Sequence, residues 1–89
     1  MALYRIITED KNTNDVAKIV SRYFDGFTMI PSCEGYYKGS LEGSLIIEID
    51  TPANHNTPDR VRAICREINL LNGQQCCLLQ TFSPLSEFI

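Results

Sequence analysis

The sequence predicts an α+β fold of the ferredoxin-like type, a β-α-β-β-α-β sandwich in which a four-stranded antiparallel sheet carries two helices on one face. Two observations predict it. The first is the order of four apolar, β-branched segments and two segments with helical apolar spacing, which right-handed crossovers arrange in the strand order 4-1-3-2. The second is the length of 89 residues, which suits one domain, assigned to residues 1–82 with an apolar C-terminal tail at 83–89.

The first half of the chain contains a strand, a helix and a second strand. Residues 3–7 are apolar and partly β-branched, which is typical of a strand. Residues 13–24 carry apolar side chains at helical spacing. The second strand covers residues 27–33 or extends to Tyr37. Because proline donates no hydrogen bond, Pro31 predicts that this strand lies at an edge or contains a bulge.

The second half contains a strand, a helix and a last strand. A glycine-rich turn at residues 38–43 leads into residues 44–50, whose apolar side chains alternate as in a strand with one buried face. The second helix opens with Thr57 as its N-cap and proline at the first helical position, and it ends at Gly73, which suits a left-handed cap. Residues 75–81 form the last strand.

Composition and charge argue against several classes of partner. The formal net charge is −3, the acidic residues are dispersed and no basic stripe is present, so binding of duplex nucleic acid is not expected. No apolar run approaches the roughly 20 residues that span a bilayer, so no membrane partner is expected. The N-terminus lacks the basic and apolar regions of a signal peptide, which predicts a cytoplasmic protein.

The four cysteines are Cys33, Cys65, Cys76 and Cys77, and none of their spacings is C-x-x-C. The last two are neighbours in a predicted strand, so they would point to opposite faces. In a secreted chain four cysteines would suggest two disulfides, whereas thiols in the cytosol stay reduced. We therefore expect small buried thiols, and neither a metal nor a cofactor.

The segment from Tyr23 to Asp50 holds four of the five glycines. It contains neither GxGxxG nor GxxxxGK[ST] and leads from strand to strand rather than into a helix, which argues against a phosphate-binding loop. The remaining candidate ligand site is Tyr36, Tyr37 and Lys38 near the hairpin tip, because tyrosine stacks on planar ligands and lysine pairs with phosphate. The alternative is ordinary strand aromatics beside a solvated lysine.

A second candidate site consists of Arg5, Glu48 and His55, which a small enzyme of the dimeric α+β barrel type would use. Arg5 and Glu48 fall on neighbouring central strands of the predicted sheet, so a cross-strand ion pair is expected. His55 is the only histidine and lies in a polar loop without a nucleophile beside it. This context favours an exposed loop histidine and a non-enzymatic protein.

Five short motifs span most of residues 3–80. They are F-D-G-F-T at 24–28, G-Y-Y-K-G at 35–39, E-G-S-L-I-I-E-I at 42–49, I-C-R-E-I-N at 64–69 and Q-Q-C-C-L-L at 74–79. Together they resemble a group of small phage and bacterial proteins that often have tryptophan where Tyr36 and Tyr37 stand. The resemblance implies a ferredoxin-like fold and a phage or mobile-element origin, and it implies no particular activity.

The open sheet face and the tail predict assembly. Helices cover one face of such a sheet, and the other face would carry both apolar and charged residues, such as Ile46 and Glu48. The tail contains Leu85, Phe88 and Ile89, which need cover from the sheet or from a neighbour. The first hypothesis is therefore a homo-oligomeric binding protein that captures a protein partner or a small anionic, nucleotide-like ligand. The alternatives are the small enzyme and a structural subunit without a ligand.

Overall fold

The structure is a computed structural model that describes residues 2–52 and 54–83. Within these residues the elements are β1 (Ala2–Glu9), α1 (Thr13–Ser21), β2 (Thr28–Tyr37), β3 (Ser40–Thr51), α2 (Thr57–Asn72) and β4 (Leu78–Phe82). The strands form one antiparallel sheet in the order β2-β3-β1-β4. The predicted ferredoxin-like fold and its strand order are thus confirmed.

Both helices pack on the same face of the sheet. The strands β1 and β3 send alternate side chains to this face, including the fully buried Ile6, Leu45, Ile47 and Ile49. The helices contribute the core residues Val16, Ile19, Val20, Val61, Ile64 and Ile68. Since burial of each aliphatic side chain contributes about 1.5–3 kcal/mol, the layer between helices and sheet supplies most of the hydrophobic stability.

β2 and β3 form a longer hairpin than the sequence predicts. The turn consists of Lys38 and Gly39, whose φ angles of 51° and 79° are typical of a two-residue hairpin turn. Gly43, which we expected in the turn, lies within β3 and pairs with Glu34. The predicted turn at residues 38–43 is therefore too long, because a glycine inside a strand was interpreted as a turn residue.

A bulge interrupts the edge strand β2 at Pro31 and Ser32, where the register with β3 shifts between Ile30 and Cys33. The backbone N–H of Ser32, whose φ is 59°, donates a hydrogen bond of 2.6 Å to Asp10 Oδ2. Pro31 thus has both of the features that its missing donor predicts, an edge position and a bulge. Asp10 satisfies the N–H group that the bulge takes out of the ladder.

Besides the start of β3 and shifts of one or two residues at other ends, two element ends differ from the prediction. α1 ends at Ser21 rather than near Phe24. β4 begins at Leu78, so Cys76 and Cys77 precede the strand instead of lying within it. Both differences occur at element ends, where single-residue preferences discriminate poorly between helix, strand and loop.

α2 has the predicted C-terminal end, where Gly73 caps it in the left-handed conformation with φ of 65°. At its N-terminal end the N-cap is Asn56 rather than Thr57, which is the first residue of the helix. The apolar tail predicted at residues 83–89, with Leu85, Phe88 and Ile89, lies outside the described residues apart from its first position.

Candidate functional site

The open face of the sheet, which neither helix covers, has an ion pair at its centre. Arg5 on β1 is paired in register with Glu48 on β3, and its Nε and Nη2 atoms donate to Glu48 Oε2 at 3.0 and 2.9 Å. The Arg5 guanidinium also lies over the ring of Phe82 on β4, 5.1 Å from the ring centroid. The predicted cross-strand ion pair is confirmed, and both of its side chains are partly shielded from water.

An apolar row crosses all four strands beside this ion pair. Ile7 pairs with Leu78 on β4 and with Ile46 on β3, and Ile46 pairs in turn with Ile30 on β2. The exposed fraction reaches 55% for Leu78 and 39% for Ile30. We call the row Ile30, Ile46, Ile7 and Leu78 the open-face row. It is a continuous apolar strip that the described part of the chain leaves uncovered.

The tip of the β2–β3 hairpin extends past the four-stranded part of the sheet. The pairing of β1 with β3 ends at Ser44, so residues 40–43 pair only with β2, apart from a hydrogen bond from the Asp10 N–H to the Gly43 carbonyl oxygen. Tyr36 pairs with Leu41 across the hairpin, and these residues are 71% and 60% exposed. The tip therefore presents an aromatic and an aliphatic side chain that pack against little else among the described residues.

The three predicted ligand residues lie together at this tip. Tyr36 is near the end of β2, Tyr37 pairs through its backbone with Ser40, and Lys38 is in the turn. The side chain of Tyr37 lies outside the described part of the structure. Tyr36 and Lys38 line neither of the two depressions described below, and most of the Tyr36 side chain is exposed.

The residues of the second candidate site are only partly brought together. Arg5 and Glu48 bind each other on the open face. His55 is exposed in the turn before α2, and no hydrogen bond or ion pair joins it to Arg5 or Glu48 in the described structure. The described part of the structure therefore brings Arg5 and Glu48 together and leaves His55 apart from them.

A groove runs from the C-terminal end of α1 to the edge of the open face. It consists of two adjoining depressions of about 420 and 340 Å³ that share Gly26 and Asp50. No sequence motif indicated this groove, because its walls come from the α1–β2 connection, the end of β3 and the first turn of α2. The only local signal is the Asp25-Gly26 pair at the end of the predicted helix.

The arginines of this groove are already engaged within the chain. Arg22 forms an ion pair of 2.5 Å with Glu67, whose pKa the hydrogen bonds from Tyr23 and Arg22 hold below its usual range. Arg60 donates to the carbonyl oxygen of Tyr23 and lies 4.7 Å from the centroid of the Phe24 ring. An anion in the groove would compete with Glu67 for Arg22, so the groove is a weaker anion site than its size suggests.

Two kinds of feature are absent from residues 2–52 and 54–83. No group of three or more histidine, cysteine, aspartate or glutamate residues there could hold a metal ion. No helix in the same residues is both long and apolar enough to cross a membrane. The cysteines are not uniformly buried as expected, since Cys76 is exposed while Cys65 and Cys77 pack partly against the core.

Sequence comparison does not assign the chain to a family. No protein-family model matches the sequence, and no curated protein matches it at a significant level. The fold is nevertheless shared with solved structures over nearly the whole chain, and two of these proteins are informative.

The first is a DUF3240 family protein from Shewanella baltica OS155, with a TM-score of 0.72, 14% identity and coverage of 99% of this chain and 93% of that chain. The second is CPII from Thiomonas intermedia K12, a nitrogen regulatory PII-like protein bound to ADP, AMP and bicarbonate. Its TM-score is 0.65 at 12% identity, with coverage of 99% of this chain and 94% of that chain. At these identities the likeness establishes the ferredoxin-like fold that the chain shares with both proteins.

Proposed function

We propose that the protein is a small homo-oligomeric binding protein that captures an anionic, nucleotide-like ligand where the hairpin tip of one copy meets another copy. The observation that carries the proposal is the projecting tip, which presents the 71% exposed Tyr36 two residues before Lys38. A planar base stacks on tyrosine, and a phosphate pairs with lysine. Tyr37 belongs to the proposed site through its position between them.

A second copy completes the site in this proposal. Ligand sites bury most of the ligand in a concave space, and a projecting two-stranded tip has no walls of its own. An isolated two-stranded hairpin is at best marginally stable in water. Packing of Tyr36 and Leu41 against a second copy would therefore enclose the ligand and also hold the tip in place.

The open face supports assembly. A chain of 89 residues builds a thin core, and the open-face row adds an uncovered apolar strip across all four strands. A second copy that covers this row would remove it from water. Burial of apolar surface contributes about 25 cal/mol per Å², which favours association of copies through this face.

The ligand class rests partly on the fold comparison. CPII, which shares the fold at 12% identity, has been solved with ADP, AMP and bicarbonate bound. One fold supports many functions, so a shared fold does not by itself assign a ligand. The nucleotide-like ligand is therefore part of the proposal. The cytoplasmic location and the phage or mobile-element origin rest on the sequence features and belong to the proposal as well.

A structural or interaction subunit without a ligand is the second candidate, and the open-face row favours it. Such a protein would use the row for a protein partner or for further copies, and the hairpin tip would bind nothing small. The two candidates differ in one property, which is whether nucleotide binding depends on the residues of the tip.

Calorimetric titration with ADP and AMP tests the proposal. We expect Lys38→Ala and Tyr36→Ala each to raise the Kd by about tenfold or more, which corresponds to at least about 1.4 kcal/mol. Lys18→Ala is the matched control, because it removes the same charge from an exposed position on α1. Circular dichroism verifies that each variant is folded.

Two results would overturn the proposal. Absence of binding at millimolar nucleotide would leave the subunit without a ligand as the better account. An equal loss of affinity in the Lys18 and Lys38 variants would mean that net charge alone, rather than a site at the hairpin tip, governs binding.

A further inference from the structure

Two cysteines that are twelve positions apart meet where the α2–β4 connection packs against α2. Cys65 lies on α2, and Cys77 lies in the connection between α2 and β4. The Cys77 thiol donates to the backbone oxygen of Cys65 at 3.8 Å and to Asn69 Oδ1 at 3.2 Å, and the two cysteine side chains lie close enough to shift each other's pKa. Both residues are of intermediate exposure. The pair is thus in contact and still within reach of a small reagent.

Contact with Cys65 favours the thiolate form of Cys77. The hydrogen bond from the Cys65 thiol lowers the pKa of Cys77 to about 7, with a smaller contribution from Thr8 and against the effect of burial. The Gln74 amide nitrogen donates to Cys77 Sγ at 3.5 Å. The same contact with Cys77, together with burial, raises the pKa of Cys65. In a reaction with a disulfide, Cys77, whose pKa is lowered, would be the attacking thiol and Cys65 the resolving thiol.

We propose that Cys65 and Cys77 are a reversible modification site, at which a low-molecular-weight disulfide such as oxidised glutathione converts the two thiols into an intramolecular disulfide. The Cys77 thiolate attacks one sulfur of the oxidant, forms a mixed disulfide and releases one glutathione thiolate. Cys65 then loses its proton, and its sulfur attacks the Cys77 sulfur and releases the second glutathione. Two protein thiols lose two electrons in total, and the small disulfide gains them.

The other cysteines do not offer an equivalent pair. Cys33 is on β2, at the opposite edge of the sheet from β4. Three strand spacings amount to about 14 Å, whereas a disulfide joins Cα atoms at most about 7 Å apart. Cys76 is exposed and next to Cys77 in sequence. The experiment must therefore distinguish a disulfide between Cys65 and Cys77 from one between Cys65 and Cys76.

The new bond would tie α2 to the start of β4. It would close the loop that contains the left-handed cap Gly73 and the hydrogen bonds of Gln74 to Thr8 and Asn69. The connection between α2 and β4 would then be held covalently in the oxidised protein and by hydrogen bonds alone in the reduced protein.

Peptide mapping of the full chain tests the proposal. The protein is equilibrated in a series of glutathione redox buffers, quenched with acid, alkylated with iodoacetamide and cleaved with trypsin. Cleavage after Arg62 and Arg66 leaves Cys65 in residues 63–66 and Cys77 in residues 67–89. We expect the intact chain to lose the mass of two hydrogen atoms, and the two peptides to remain joined until a reductant is added.

Three variants identify the partners. We expect Cys76→Ser to keep the joined peptides, Cys77→Ser to abolish them, and Cys65→Ser to accumulate a mixed glutathione disulfide at Cys77. Loss of the joined peptides in Cys76→Ser with retention in Cys77→Ser would overturn the assignment. The unsubstituted chain provides a test that needs no variant. If every disulfide that forms across the buffer series is intermolecular or mixed with glutathione, the proposal is overturned.

Discussion

Arg5 and Glu48 neutralise each other at the centre of the open sheet face, through two hydrogen bonds of 3.0 and 2.9 Å from one guanidinium to one carboxylate oxygen. In the isolated chain a partly exposed ion pair contributes only about 0–1 kcal/mol. In the proposed oligomer, where a second copy would cover the face, removal of one partner would leave a buried, unpaired charge and cost about 3–5 kcal/mol. The same substitution therefore has different consequences for folding and for assembly.

Glu48→Ala separates these two consequences. We expect the free energy of unfolding of the dissociated chain, from urea titration, to change by at most about 1 kcal/mol. We expect the dissociation constant of the oligomer, from sedimentation at a series of concentrations, to rise by about tenfold or more. The matched control is Asp15→Ala, which removes the partner of Lys18 on the solvent side of α1. Equal effects of both substitutions on dissociation would contradict assembly through the open face.

Acid should loosen the β2 bulge. Hydrogen bonds from the Thr13 hydroxyl and the Ser32 N–H hold the pKa of Asp10 below its ordinary value. Because the folded-state pKa is depressed, this stabilisation is present above the unfolded-state pKa of about 3.9 and is lost as the pH falls through the folded-state value. We expect the hydrogen-exchange protection of the Ser32 amide to fall in that range.

Asp10→Asn should weaken the same contact at neutral pH. We expect reduced protection of the Ser32 amide, since a neutral amide oxygen is a weaker acceptor than a carboxylate. Asp59→Asn, an exposed substitution on α2, is the control and should leave Ser32 unchanged. An Asp10 carboxyl that titrates at its ordinary pKa by NMR would contradict this account of the bulge.

Two glycines should respond in opposite directions to alanine. Gly73 has a φ of 65° as the cap of α2, so Gly73→Ala should reduce the free energy of unfolding by about 1–2 kcal/mol. A Cβ atom added at Gly26 would meet no other atom within 4 Å, and the φ of Gly26 is not left-handed. Gly26→Ala should therefore leave stability unchanged or raise it by about 0.4–1 kcal/mol. Urea unfolding of both variants measures the difference, and equal destabilisation would contradict the assigned backbone conformations.

The features that follow from alternation and from proline chemistry were predictable. The register that pairs Arg5 with Glu48 follows from the apolar alternation of two strands, because a shift by one residue would expose the core. The edge position and bulge of β2 follow from the missing N–H of Pro31. Gly43 misled the prediction because glycine is common in turns, whereas here it pairs within β3.

The features that depend on how separate elements pack were not predictable. The contact of Cys65 with Cys77 requires the path of the connection after α2, which no periodicity specifies. The groove beside Gly26 likewise depends on where three connections and element ends meet. The hairpin tip was identified as a candidate from its composition, but its projection beyond β1 is evident only in the strand register.

The central claim is that copies of this chain assemble and hold an anionic, nucleotide-like ligand between them. Native mass spectrometry combined with light scattering, on protein purified without refolding and then supplied with ADP, tests it most directly. We expect an oligomer that carries the mass of bound nucleotide, and a Lys38→Ala oligomer that carries less. A monomer without added mass at millimolar ADP would contradict the claim.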